Sequence, residues 1–179
     1  MSDRAVARNY AEALFAVGER AGQTERFASV LEALAGAIAA DERVQLMLES
    51  PRVPKRVKTE VLQRALARHA PELFLRWVTA VVRRRRQGLM GAISREYGSL
   101  VDVKFNRVHA GITVARPVEQ SLREEIRRRL SASLGKEVVP HFREDAAILG
   151  GVIIRVGDRV IDGSVRHKLA SLRRQMLGV

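Results

Sequence analysis

Near residue 105 the apolar residues change their spacing, and that change restricts the fold more than any other feature of the chain. Before it, apolar positions recur every three or four residues, as on one face of a helix. Val6, Tyr10, Leu14 and Val17 mark a helix from Arg4 to about Arg20, and Phe27, Val30, Leu31, Leu34 and Ile38 mark a second from Thr24 to Ala39. Asp41 can cap a short third helix with Val44, Met47 and Leu48. Ser50-Pro-Arg-Val-Pro54 then breaks the chain, because proline is excluded from a helix interior. Val57, Val61, Leu62, Ala65 and Leu66 predict a fourth helix. Pro71, placed at a first helical position, opens a fifth with Leu73, Phe74, Trp77, Val78, Val81 and Val82. Gly88 separates it from a sixth with Leu89, Ile93, Tyr97, Leu100 and Val101. Six helices with short joints predict an antiparallel bundle over residues 1–105.

After the change the period is two. Val108, Ala110, Ile112 and Val114 alternate with His109, Gly111, Thr113 and Ala115, which predicts a strand. Pro117 opens a helix striped by Leu122, Ile126, Leu130 and Leu134, with Gly135 at its end. Glu137–Phe142 reads as a short strand, and Pro140 confines it to a sheet edge or a bulge. Val152, Ile154 and Val156 alternate on a further strand. Gly157-Asp158 is a two-residue loop with glycine first, which suits a type II′ turn and places Ile154 opposite Ile161. Asp162-Gly163-Ser164 closes the hairpin, where Asp or Ser can cap a last helix striped by Val165, Leu169, Leu172 and Met176. Residues 106–179 therefore predict a β-α-β-β-β-α unit, and the whole chain is α+β.

The net charge of +12 raises nucleic acid as a partner. The excess is divided evenly, with 18 Lys+Arg against 12 Asp+Glu in residues 1–105 and 14 against 8 in the remainder. Aromatic residues, on which single strands stack, are only 4%. The sharpest basic run, Arg83–Arg86, ends the fifth predicted helix, where the macrodipole favours cations. A basic nucleic-acid binder is the alternative reading. There is no cysteine, no apolar run long enough for a membrane span, and no hydrophobic leader near the N-terminus, so the expected compartment is the cytoplasm.

Chemistry finds little support. No phosphate-binding glycine loop and no dinucleotide fingerprint occurs, and Gly150-Gly151 lacks the lysine and following helix that phosphate binding uses. The four histidines are far apart in sequence. Ser164 beside Asp162 reads as a cap before it reads as a nucleophile, and His141 with Glu144 and Asp145 reads as a charged loop. No catalytic, metal or cofactor residue is expected. The first helix does exceed what folding requires. Ala7, Ala11 and Phe15 form a second apolar stripe beside the first, and the fifth helix is polar only at Arg76, Thr79 and Arg83. The width predicts burial on two sides: either these helices lie centrally in the bundle, or they form a groove for an amphipathic partner helix. In a groove, small Ala7 and Ala11 would permit close approach and Tyr10 or Trp77 would anchor.

Three segments carry a resemblance. Leu149-Gly150-Gly151, Arg155-Val-Gly157-Asp158 and Ile161-Asp162-Gly163-Ser164-Val-Arg166 resemble the C-terminal signature of the delta subunit of F-type ATP synthase, whose mitochondrial counterpart is the oligomycin-sensitivity-conferring protein. Arg8-Asn-Tyr-Ala-Glu-Ala-Leu-Phe15 resembles its N-terminal signature, and Leu89, Ile93, Tyr97 and Leu100 its sixth helix. Glu144-Asp-Ala-Ala-Ile148 departs from the commoner Asp-Pro-Ser-Leu-Ile, and the four-arginine run is unusual. The resemblance implies a stator subunit of the peripheral stalk that makes no bond and binds no cofactor, nucleic acid or small-molecule substrate. It implies that residues 1–105 bind the N-terminal helices of alpha subunits in the catalytic head and residues 106–179 the b subunits. The head is thereby held against rotor torque during proton-driven ATP synthesis. The alpha contact is expected at Ala7, Tyr10, Ala11, Leu14, Phe15, Val78 and Val82. The implied location is the cytoplasmic face of a bacterial inner membrane, reached only through the complex.

Overall fold

The computed structural model describes residues 2–177 and has α+β architecture. The chain divides into two compact units between Val103 and Lys104. The helices of the first part are α1 (Asp3–Arg20), α2 (Thr24–Ala40), α3 (Glu42–Glu49), α4 (Lys55–Leu66), α5 (Glu72–Arg83) and α6 (Met90–Lys104). Local chemistry sets their ends. The Asp41 carboxylate accepts from the Arg43 N–H at 2.8 Å, satisfying one of the free donors that open α3. Pro71 stands one residue outside α5, at the cap, with extended backbone. Its fixed φ suits that position as well as the first helical one.

The core of this unit centres on Tyr97 of α6, which is fully buried. Its hydroxyl donates to the Thr24 carbonyl at 3.0 Å, at the start of α2. Burial, and secondarily the Glu19 charge, push the hydroxyl's pKa well above the ordinary tyrosine value, so it stays protonated and remains a donor. The Phe15 ring meets Tyr97 edge-on at 5.9 Å, and Phe27 meets Phe74 in the same way at 5.7 Å, joining α1 to α6 and α2 to α5. Helix α4 differs from its sequence reading. Its buried row is Lys58, Leu62 and Leu66, while Val57, Val61 and Ala65 face outward. A row holding one lysine is not recognised by an apolar pattern.

The second unit contains β1 (Arg107–Val114), α7 (Gln120–Leu134), β2 (Glu137–Glu144), β3 (Val152–Val156), β4 (Arg159–Asp162) and α8 (Val165–Leu177). The sheet order is β2-β1-β3-β4. β1 and β2 are parallel, which the α7 crossover requires, and the other pairs are antiparallel. Ala110, Ile112, Val114 and Val138 form the buried centre, covered by Ile126, Leu130 and Leu134 of α7. Leu122, the first member of the expected stripe, is exposed, and α7 begins three residues after Pro117. Gly135 ends α7 in the left-handed region at φ 64°. Pro140 lies in β2, an edge strand, where a missing N–H is tolerated. Ile154 faces Ile161, and of the two loop residues Gly157 alone has positive φ, 56°, as a type II′ turn requires.

Candidate partner-binding surfaces

In the first unit the structure divides the seven residues expected at the alpha contact. Ala7, Ala11, Leu14, Val78 and Val82 are in the core, each at most 1% exposed. They cannot form the floor of an open groove in this fold. The reason is geometric. On α1 the buried arc centres on Ala7, Ala11, Leu14 and Gly18, between the two apolar stripes, so what reads as a surplus second stripe is the interior itself. Phe15 is half-buried against Tyr97, and Tyr10 is half-buried on the other flank.

The surplus apolar width lies on outer flanks instead. Val6, Tyr10 and Val17 are half-buried and Ala13 is exposed, and the four recur at steps of four, three and four along α1. On α5, with Phe74, Val78, Val81 and Val82 turned inward, Leu73 and Ala80 are exposed and Trp77 is half-buried. These flanks leave each helix an apolar edge at helical spacing, the form an amphipathic helix recognises.

In the second unit the glycine-rich signature is a structural knot. The Gly163 N–H donates to the Val152 carbonyl at 2.9 Å, and the Val165 N–H to the Gly150 carbonyl at 2.9 Å. The start of β3 is thereby tied to the start of α8. Gly151 has φ +79°, and a Cβ there would lie 2.4 Å from the Gly163 carbonyl oxygen. A side chain at Gly150 would press on Val165 at 3.1 Å. Ser164 is 2% exposed, and its hydroxyl accepts from the His167 N–H at 3.1 Å, so it caps α8. Asp162 Oδ1 accepts from the Ser164 N–H at 2.9 Å. Gly157 and Asp158 supply only the hairpin turn.

Two expectations follow from the cap. Ser164→Ala should lower the stability of this unit by about 1 kcal/mol, measured by chemical denaturation. Hydrogen bonds from the Ser164 side chain and backbone hold the Asp162 carboxyl below its ordinary pKa, with His167 and Arg166 adding to the shift. A depressed folded-state pKa contributes stability that is present above the unfolded value and is lost as pH falls through the folded one. The acid limb of the unfolding curve should therefore flatten in Asp162→Asn.

The knot delivers α8 with its stripe outward. Val165, Leu169, Leu172 and Met176 are 41%, 54%, 55% and 86% exposed, and Ile161 of β4 is exposed as well. The sequence reads this row as a folding stripe; the structure leaves it uncovered. His109 and His141 meet at 2.8 Å, Nδ1 to Nε2, because parallel register sets their strands side by side. Neither spacing nor motif announces this pair. No group of three or more metal-ligating side chains occurs among the described residues, and no helix there is long and apolar enough to cross a membrane.

Residues 6–176 match the family model for the ATP synthase delta (OSCP) subunit. The chain is 47% identical over 173 residues to ATP synthase subunit delta of Gemmatimonas aurantiaca, covering 97% of this chain and 94% of that one. It is 32% identical over 176 residues to the same subunit of Salinibacter ruber, covering 98% and 93%. Its fold is similar to a chain of the Toxoplasma gondii mitochondrial ATP synthase hexamer, with a TM-score of 0.65 at 23% identity over 96% of this chain and 97% of that one. A match of this extent, on a fold whose signature motif is a knot and not a catalytic centre, places the chain in the ATP synthase delta (OSCP) subunit family, as a non-catalytic peripheral-stalk component of that complex.

Proposed function

We propose that the chain couples the catalytic head to the stalk through its two units: the first binds the N-terminal helices of alpha subunits, and the second binds the b subunits. The observation that carries this reading is the uncovered α8 stripe. Four apolar side chains at helical spacing, exposed in a folded unit, form the face that another amphipathic helix buries. The apolar flanks of α1 and α5 supply a corresponding surface on the first unit, with Tyr10 and Trp77 as the large aromatic side chains suited to anchor a helix. Binding by apolar faces suits a protein that transmits force and changes no bond. The membrane, at its cytoplasmic face in a bacterium, is then reached only through the complex.

The test is calorimetric titration of the full chain with two peptides, one from the alpha N-terminus and one from the membrane-distal end of b. Leu169→Glu and Leu172→Glu should each weaken b binding by about tenfold or more and leave alpha binding unchanged. Tyr10→Glu should do the reverse. Both contacts should show negative heat-capacity changes and little salt dependence. Wild-type b affinity in folded Leu169→Glu and Leu172→Glu would remove α8 from the stalk contact. Binding of nucleic acid with a steep slope against log salt would favour the basic-surface alternative instead.

A further inference from the structure

We propose that the first unit holds a phosphate site, in the recess between the α3–α4 turn and the residues that follow α5. The recess measures about 190 Å³ and is lined by Glu49, Pro54, Lys55, Lys58, Arg85 and Gln87 among others. Three cations thus line one small space.

Lys58 is the first argument. Its side chain belongs to the buried row of α4, and the residue is only 4% exposed. The ammonium donates to the Ser50 carbonyl at 2.7 Å, and no ion pair of Lys58 occurs among the described residues. An ammonium has three donors. Burying one without an anion is costly, so buried charges are ordinarily paired. The Glu49 carboxylate lines the same recess but makes no ion pair with Lys58, so a phosphate there would supply the missing partner.

Gln87 is the second argument, and it is independent of the first. It is 7% exposed, and its amide nitrogen donates to the Leu48 carbonyl at 2.8 Å, which fixes how the amide points. Its Oε1 is then buried with no donor. An orphaned buried acceptor calls for a ligand or water that can donate.

The backbone agrees with both. Helix α4 starts in this recess at Pro54, without a capping side chain and without an acidic residue in its first turn. The first amides of a helix have no intrahelical acceptor, and the macrodipole makes that end positive. Arg85, within the Arg83–Arg86 run, has φ 57°, a left-handed conformation that is uncommon for a residue other than glycine. It closes α5: the Arg85 N–H donates to the Val82 carbonyl at 2.9 Å and the Arg86 N–H to the Val81 carbonyl at 3.0 Å, a left-handed helix stop. Lys55, which donates to the Arg83 carbonyl at 2.7 Å, holds the α5 end against the α4 start.

The mixture of groups selects the ligand. Lysine, arginine and helix amides donate, whereas Gln87 Oε1 and the Glu49 carboxylate can only accept. Monohydrogen phosphate carries acceptor oxygens for the cations and amides and one O–H for the orphaned Gln87 Oε1, while the Glu49 carboxylate already accepts from Gln45 Nε2 at 3.3 Å. Sulfate and a carboxylate have no proton to give at neutral pH. The volume lies below the roughly 300 Å³ at which pockets for drug-sized ligands begin, which suits a small anion.

Thermal unfolding of the full chain tests this, at constant ionic strength with sodium phosphate or sodium sulfate raised through the millimolar range. Phosphate should raise the melting temperature saturably, as a ligand of the folded state does. Sulfate should need about tenfold higher concentration for the same shift, having lost one hydrogen bond to an orphaned acceptor. Lys58→Met should abolish the phosphate effect. Arg85→Gly keeps the fold, because glycine adopts positive φ freely, and should raise the apparent phosphate Kd about tenfold. Equal shifts with the two anions, no shift with either, or wild-type phosphate dependence in Arg85→Gly would each overturn the site. If Lys58→Met fails to fold, the anion comparison and Arg85→Gly still decide.

Discussion

Gly151→Val is expected to destabilise the second unit severely while the helices of the first stay protected. Two costs combine. A residue with a Cβ at φ +79° meets the left-handed penalty of about 1–2 kcal/mol. The Cβ would also stand 2.4 Å from the Gly163 carbonyl oxygen, a backbone atom that moves only by displacing the Asp162–Ser164 segment. That displacement breaks the Gly163–Val152 and Val165–Gly150 hydrogen bonds, at about 1 kcal/mol each. The loss is about 3–4 kcal/mol, a large part of the 5–15 kcal/mol typical of a whole domain. Hydrogen exchange of the full-length variant should show protection lost from β3, β4 and α8 and kept in α1, α2, α5 and α6. Normal protection in β3 would show that the backbone accommodates the side chain, and the knot would not be what holds α8.

Gly18→Val is the counterpart in the first unit. A Cβ at Gly18 would approach the Tyr97 hydroxyl at 3.0 Å, the Phe27 ring at 3.2 Å and the Thr24 Cα at 3.3 Å. None of the three is free to retreat. The hydroxyl is bound to the Thr24 carbonyl, Phe27 is locked against Phe74, and Thr24 begins α2. Overpacking of this kind costs about 1–3 kcal/mol, and leaving the buried hydroxyl unpaired adds about 1–3 kcal/mol. The melting temperature of the first unit should drop by about ten degrees or more. Tyr97→Phe in the same background should recover part of the loss, because it removes the group that the valine strikes. An additive double mutant would disprove the contact.

What was legible in the sequence followed chemistry that acts over a few residues. Asp41 announced a cap, Gly135 a left-handed stop, and the two-residue Gly157-Asp158 loop fixed the pairing of Ile154 with Ile161. What stayed hidden depends on which side of an element the rest of the molecule occupies. The apolar width of α1 is the same whether Ala7 and Ala11 face a core or a partner, and periodicity cannot choose between them. The structure put them inside, and left the apolar edge to half-buried Val6, Tyr10 and Val17 with exposed Ala13. The α8 stripe was correctly spaced, yet spacing does not reveal that no strand or helix among the described residues covers it. The place of Lys58 in the buried row of α4 stayed hidden because a charge is seldom buried. His109 and His141 meet only through a parallel register set across a whole crossover helix.

The position of β1 at the middle of its sheet has a consequence for the order of events during synthesis. It leaves the ribosome before either of the strands that flank it, and its partners begin at Glu137 and Val152. The β3–β4 hairpin closes locally, but β1 must wait for the α7 crossover and then for the hairpin to return. Pairing across such separations is slow compared with helix formation. The first unit, made of helices in sequence order, can be complete while the sheet is still open at both sides of its central strand. A nascent chain is therefore most vulnerable to aggregation late in translation, when β1 is exposed and its second neighbour has not yet been made.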